Sequence, residues 1–336
     1  MRLVEIGEDR RLAVVERLLD EPGPGQVVVD VAFCGICGSD LHFRDVPELF
    51  PAGTVPGHEM SGRISELGPD VVGWAPGDRV AVLPFAQCGE CETCRSGNEQ
   101  VCPHAVPNGV GLGTGRPGAY AERLVVDERM LFALPDQVSD RAGTLVEPLA
   151  VAVRAVDLAG VDPSSPVAVL GAGPVGLLTA LVLRARGYSQ ATIVSRNPVR
   201  AEKAIRLGLR VASLGGIEED AANAGGFECV FECAGTPSAA RLAVDLVRPL
   251  GSVMLVGMSM EPLDLAAPPL IIKEVTIRGV LTYNRSQFAD AIDLLATGEV
   301  PGEELITGTA PLEEAESMFQ TLTSPGNPHV KVVLRP

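Results

Sequence analysis

Two groups of cysteines in this chain stand at metal-ligand spacing. Cys88-x2-Cys91-x2-Cys94-x7-Cys102 puts four thiols into a short stretch rich in Gly, Glu and Asn. Four thiolates so spaced can surround one tetrahedral Zn²⁺, and with all four positions filled that zinc is structural. An iron–sulfur cluster takes similar spacing and stands as the alternative. Disulfides fit poorly, because cysteines three apart pair badly and clustered thiols suit a reducing compartment. The second group is Cys34-Gly35-Ile36-Cys37-Gly38-Ser39-Asp40-Leu41-His42, followed by Gly57-His58-Glu59 and much later by Glu147-Pro148. Taken singly these are modest signals: a Cys-x2-Cys can be a redox pair, and a His before Glu can be a satisfied loop residue. Together they offer thiolate, imidazole and carboxylate, a mixed set that zinc accepts with one position open for water or substrate.

A third motif concerns phosphate. An apolar run at 167–170 leads straight into Gly171-Ala172-Gly173-Pro174-Val175-Gly176. A GxGxxG string is weak alone but informative between a strand and a helix. Gly171 would make the tight turn, Gly173 would let backbone approach a pyrophosphate, and Gly176 would permit close helix–strand packing. The helix opening at Pro174 and Val175 favours negative charge at its N-terminus. About twenty residues on, an NAD enzyme shows Asp or Glu for the ribose 2′-hydroxyl. This chain has Ser195-Arg196-Asn197 instead. A small hydroxyl followed by a guanidinium suits a 2′-phosphate, so the reading leans to NADP(H), with NAD as the alternative. A solvated Arg196 is the plain competing reading.

These residues need elements to hold them. The first third alternates β-rich runs (26–33, 60–67, 79–83, 120–126) with Gly/Pro turns, which suggests a compact β-barrel-like domain. From about 140 the rhythm becomes helix 145–158, strand 167–170, helix 174–186, strand 191–195, helix 199–207, strand 229–233, helix 236–247 and strand 252–256. Strands alternating with helices mean a parallel α/β sheet. After 271 the pattern loosens, with helices at 287–296 and 312–321 and a last strand at 331–334. The plan is a β-rich domain with an α/β domain inserted.

Composition bounds the function. The 336 residues suit about two domains. With 27 Lys and Arg against 43 Asp and Glu, the formal charge is −16. That charge repels phosphate backbones and anionic lipid, so neither nucleic acid nor membrane is expected as a partner. The first ten residues lack a basic-then-apolar leader pattern, and the expected location is the cytoplasm. Cys229 and Cys233 read as buried thiols, and His104 and His329 as surface or packing residues.

The string CGICGSDLH, the later GHE, the cysteine quartet and the glycine-rich turn together resemble the zinc-dependent medium-chain dehydrogenase/reductase family, over nearly the whole chain. The resemblance implies a GroES-like β-barrel catalytic domain, 1–147 completed by 275–336, with an inserted Rossmann doubly wound parallel sheet domain, 148–274. It implies two zinc ions per chain, one catalytic and one structural, and a homodimer or homotetramer. By position, Cys37 and His58 would be zinc ligands and Cys34 packing. Ser39 would take the substrate's proton, the nicotinamide ribose and His42 would pass it to solvent, and Asp40 would fix the ligating histidine. Where alcohol dehydrogenases of the family commonly carry a second cysteine, this chain has Glu147, as in polyol and threonine dehydrogenases. Glu59 and Glu147 are both candidates for the third ligand, with Glu59 preferred in the resting state. Arg200 would lie near the adenine ribose, and Val256 and Leu281 near the nicotinamide.

The activity so implied is alcohol–ketone interconversion on a secondary alcohol, polyol or sugar-like, by hydride transfer to NADP⁺ or NAD⁺. An NAD-dependent polyol or amino-alcohol enzyme is the nearest rival. A zinc- and nucleotide-binding redox sensor without turnover is the alternative from another class.

Overall fold

The computed structural model describes residues 1–113 and 115–336. They divide into two compact units, Met1–Glu147 with Asn284–Pro336, and Pro148–Tyr283. In the first unit a hairpin pairs β1 (Arg2–Ile6) with β2 (Leu12–Glu16). The long strand β3 (Gln26–Gly35) follows, then the short helix α1 (Gly38–Phe43) and β4 (Glu59–Leu67). After β5 (Arg79–Val82) come α2 (Glu92–Arg95), β6 (Arg123–Asp127), β7 (Leu131–Ala133) and α3 (Asp140–Gly143). Val27, Val28 and Val29 of β3 are fully buried, in a strand paired along one edge with β4 and along the other with β6. A strand covered on both faces reads as continuous valine rather than as strict alternation.

Helix α4 (Val146–Ala159) carries the chain into the second unit. There β8 (Val167–Leu170), α5 (Pro174–Ala185), β9 (Ala191–Val194), α6 (Pro198–Arg206), β10 (Arg210–Ala212) and α7 (Leu214–Ala224) succeed one another. They are followed by β11 (Phe227–Glu232), α8 (Pro237–Leu246), β12 (Val247–Leu255), α9 (Ala267–Lys273) and β13 (Thr276–Gly279). The six strands form one parallel sheet in the order β10-β9-β8-β11-β12-β13. The strand order reverses between β8 and β9 on one side and β11 on the other, the switch point where doubly wound sheets bind dinucleotides. Helices α5, α6 and α8 each start with proline in the first turn, which fits because that N–H has no helical partner.

The chain then re-enters the first unit with α10 (Arg285–Ala296), α11 (Gly302–Leu305), β14 (Ile306–Pro311), α12 (Ala315–Thr323) and β15 (Lys331–Arg335). The first unit's large sheet is seven-stranded, β14-β15-β3-β4-β5-β7 with β6 also on β3. Its core holds Phe50, Tyr120 and Phe319, the last two edge-to-face at 6.2 Å between ring centroids.

The expected elements are present with shifted ends. The strand expected at 252–256 begins at Val247 in β12, ahead of a Pro249-Leu250-Gly251 interruption where Leu250 has φ +62. The β1–β2 hairpin, α1, β10, α7, α9, β13 and β14 are found only in the structure. Most are short or half exposed, so their apolar periodicity is too weak to read. Residues 275–283 go with the second unit, since β13 pairs with β12.

Candidate active site

Strand β3 ends at Gly35 and β4 opens at Glu59, and these two residues face each other in the antiparallel register. That pairing brings the segment around Cys37 beside His58-Glu59. Glycine at 35 also leaves space for the Glu59 carboxylate, which a Cβ there would displace. Gly57 has φ +102, and a Cβ there would lie 2.5 Å from the Tyr120 ring and 2.9 Å from the Cys34 sulfur. Ligand atoms of Cys37, His58 and Glu59 lie within 4.8 Å of one another.

Asp40 organises this cluster. It is wholly buried, accepts hydrogen bonds from the Cys37 backbone N–H at 3.0 Å and the Tyr120 hydroxyl at 2.8 Å, and places Oδ1 3.4 Å from His58 Nδ1. With Nδ1 turned to the carboxylate, Nε2 is the nitrogen left to ligate. Burial opposes charge on His58, yet the Asp40 carboxylate and the Cys37 sulfur hold its pKa well above the ordinary range. Lys331, from β15, is also buried; it ion-pairs with Glu59 and donates to the Ile36 carbonyl at 3.0 Å. Burial works against its charge too, and Glu59, Cys37 and Glu147 raise its pKa nonetheless. Three acidic groups, Cys37, Glu59 and Glu147, thus gather round one lysine. A divalent cation would balance their charge, so the donor set fits zinc.

Ser39 is half-buried and His42 exposed, three residues apart on α1. Glu147 is buried in the first turn of α4 but outside the Cys37–His58–Glu59 group. Cys34 is fully buried, and burial, with Asp40 and Glu59 nearby, pushes its thiol far up, as suits packing rather than ligation.

The quartet comes together around α2. Cys88 and Cys94 sulfurs are 3.9 Å apart, Cys91 and Cys102 3.8 Å, and Cys102 and Cys88 3.6 Å. Tetrahedral zinc with Zn–S of about 2.3 Å needs sulfurs about 3.8 Å apart, whereas a disulfide needs about 2.05 Å. The four thiols therefore fit a metal. A hydrogen bond from the Thr93 side chain helps bring Cys91 down to about 6, while burial lifts Cys94 to about 12.

In the second unit Gly171 has φ +104, and a Cβ on Gly176 would strike the Gly171 carbonyl. A Cβ on Gly173 would meet no atom closer than Arg200 Nη1 at 4.0 Å, so the turn presents open backbone of the kind a pyrophosphate approaches. Pro174 and Val175 open α5 beside it. A cavity of about 190 Å³ is lined by Gly171, Val194, Arg196, Leu214, Ala234 and Ser238, among others. Arg196 is exposed at its wall, and Ser195 Oγ accepts from Asn197 N–H at 3.2 Å. Arg200 is half-buried, and burial lowers its pKa. The Val256 N–H donates to the Glu232 carbonyl at 2.9 Å, and Leu281 is half exposed.

Sequence reasoning did not single out Tyr120, Lys331 or Glu232. For the last two a signal existed. Each is a charge set within an apolar run, Val-Lys-Val-Val-Leu and Val-Phe-Glu-Cys, where a buried charge needs a partner.

A mixed-donor metal cluster in one unit and a dinucleotide turn at the switch point of a parallel sheet in the other define a metal-dependent nicotinamide oxidoreductase. Residues 23–136 match the family model "Alcohol dehydrogenase GroES-like domain", and 174–297 match "Zinc-binding dehydrogenase". The chain is 31% identical to the sorbitol dehydrogenase of Halalkalibacterium halodurans, over 96% of this chain and 95% of that one. It is 32% identical to the (R,R)-butanediol dehydrogenase of Bacillus subtilis, over 98% and 97%. A zinc-binding dehydrogenase from Sinorhizobium meliloti, solved bound to NADP, superposes with a TM-score of 0.90 at 28% identity, over 100% and 99% of the two chains. The chain belongs to the zinc-dependent medium-chain alcohol and polyol dehydrogenase family, and it is an oxidoreductase whose cofactors are zinc and NAD(P). No helix among the described residues is long and apolar enough to cross a membrane.

Replacing Cys91 with serine should remove about one zinc per chain and lower the thermal midpoint, since structural zinc contributes directly to folding. Metal analysis with a melting curve checks this; unchanged zinc and stability would mean that the quartet holds no metal.

Proposed function

We propose that the enzyme interconverts a secondary alcohol carrying further hydroxyls, a polyol, sugar-like alcohol or short diol, with its ketone, using NADP(H) in preference to NAD(H). The observation that carries this reading is the cluster of Cys37, His58 and Glu59 beside α1 with its Ser39 and His42. When bound, zinc supplies Lewis acidity that favours ionisation of the substrate hydroxyl, and the nicotinamide accepts the hydride.

The residues divide the work. Cys37, His58 and Glu59 hold the catalytic metal, with Glu147 the other candidate for the third ligand. Asp40 fixes the His58 ring, and Lys331 ion-pairs with Glu59, offsetting part of the negative charge that Cys37 and Glu59 bring to a divalent ion. Ser39 Oγ takes the proton from the substrate hydroxyl, and exposed His42, one turn along α1, delivers it to water. Cys88, Cys91, Cys94 and Cys102 hold the structural zinc. Gly171, Gly173, Pro174, Val175 and Gly176 receive the pyrophosphate, Ser195, Arg196 and Arg200 the adenosine ribose, and Val256 and Leu281 the nicotinamide end.

Support for a polyol-type substrate comes from the sorbitol and butanediol dehydrogenases, whose similarity spans the whole chain. The preference for NADP(H) rests on Arg196 at the cavity wall, in a position without a carboxylate. A homodimer or homotetramer is supported by the open edge of β13 next to Ile271 and Ile272, which are 72% and 80% exposed. Eight cysteines, all free, suit a cytoplasmic enzyme.

Steady-state rates with NAD⁺ and NADP⁺ across secondary alcohols and polyols test the reading. Ser39→Ala should cut turnover on the order of a hundredfold or more at unchanged zinc content, and a wild-type rate would sink the relay. Arg196→Ala should raise KM for NADP⁺ about tenfold or more and leave that for NAD⁺ little changed. Equal effects on both cofactors would make Arg196 a surface charge.

A further inference from the structure

Strand β11 ends in a carboxylate, Glu232, that is 1% exposed. An unpaired carboxylate is costly to bury. This one is accommodated by backbone: Oε1 accepts from the N–H groups of Ala234 and Gly235, each at 2.8 Å, and the Thr236 N–H hydrogen-bonds to the same carboxylate. Its own carbonyl accepts from Val256 N–H at 2.9 Å and Gly257 N–H at 2.8 Å. One residue therefore gathers five N–H groups from two turns, 233–236 after β11 and 256–258 after β12.

The first turn adjoins the dinucleotide motif, and the second packs on the first. The backbone of Ala234 lies where a Cβ on Gly171 would meet it at 3.0 Å, so the 233–236 turn packs directly on the first glycine of the fingerprint. Thr236 caps α8, accepting from Ala239 N–H at 3.3 Å, and Ala234, Ser238 and Ala239 line the cavity that Arg196 borders. Gly235 has φ +64 and sits so close to the second turn that a Cβ there would lie 2.6 Å from the Met258 carbonyl. The two turns are thus in contact, and the buried carboxylate sets the shape of the first.

We propose that Glu232 is a positioning residue of the cofactor site. Its carboxylate fixes the 233–236 turn and its carbonyl the 256–258 turn, and together they hold the wall against which a nicotinamide dinucleotide binds. This rests on the reading of the second unit as the dinucleotide site. Glu232 touches no reacting atom and acts through backbone amides. Burial also raises its pKa while the three N–H groups oppose that rise, which fits a carboxylate retained for the amides it organises. Removing it leaves those donors without their acceptor, and the turn must rearrange or take up water to satisfy them.

The experiment is a fluorescence titration of the purified zinc-loaded enzyme with NADH and with NADPH, for wild type, Glu232→Ala, Glu232→Gln and Gly235→Ala. Zinc content and a cooperative melt establish that each variant is folded. The dissociation constant of the better cofactor should rise about tenfold or more in Glu232→Ala. Glu232→Gln, whose amide oxygen can still accept, should fall between it and wild type. Gly235→Ala should weaken binding as well, since its side chain would force the two turns apart. If Glu232→Ala does not fold, Glu232→Gln and Gly235→Ala carry the test, and wild-type affinity in both overturns the proposal. Wild-type affinity in a folded Glu232→Ala overturns it too, as does a glutamine variant as weak as alanine. Failure of the wild-type enzyme itself to bind either dinucleotide would overturn the reading of the second unit.

Discussion

The active-site cluster depends on one antiparallel contact, Gly35 of β3 opposite Glu59 of β4. Gly35 leaves room beside that contact: a Cβ there would occupy the space of the Glu59 carboxylate and displace it from its pairing with Lys331. The contact gathers thiol, imidazole and carboxylate at the end of a rigid sheet, and α1 then carries the hydroxyl and the second imidazole away from it. Asp40 converts proximity into orientation, holding the Cys37 backbone, the Tyr120 hydroxyl and the His58 ring at once. A metal site needs both effects, since a donor set free to rotate gives up much of its affinity and of its control over the metal.

The site's electrostatics follow from the same packing. Burying Asp40, Glu59 and Lys331 together carries a desolvation penalty, and such a cluster persists where it is fully paired or serves function. Lys331 arrives from β15, at the far end of the sequence, so the return of the chain to the first unit completes the charge balance as well as the sheet. In the second unit a related problem is solved without a cation: Glu232 is held by backbone amides, at the strand ends where a dinucleotide needs shaped backbone.

The chemistry was more legible in the sequence than its framework. Cys88 to Cys102 and Gly171 to Gly176 are local motifs, readable from their spacing together with the strand and helix predicted around the second. The grouping of Cys37 with His58 and Glu59 could be proposed because both segments are short and distinctive. Tyr120, 80 residues from Asp40, could not be found that way, nor could Lys331, because their roles exist only after distant strands have paired. Glu147 shows the same limit. Residue type admits it as a ligand, and only geometry leaves it outside the Cys37–His58–Glu59 group. Strand β13 escaped notice because a short, mostly exposed edge strand carries little apolar signal.

The central claim is that Cys37, His58 and Glu59 hold a metal distinct from the one held by the cysteine quartet. Zinc content of the purified enzyme, with zinc X-ray absorption to read the ligand shell, tests it directly. We predict about two zinc ions per chain and a shell mixing sulfur at about 2.3 Å with nitrogen and oxygen at about 2.0–2.2 Å. About one zinc per chain in a purely sulfur shell would contradict the account, because the buried cluster around Asp40 would then hold no metal.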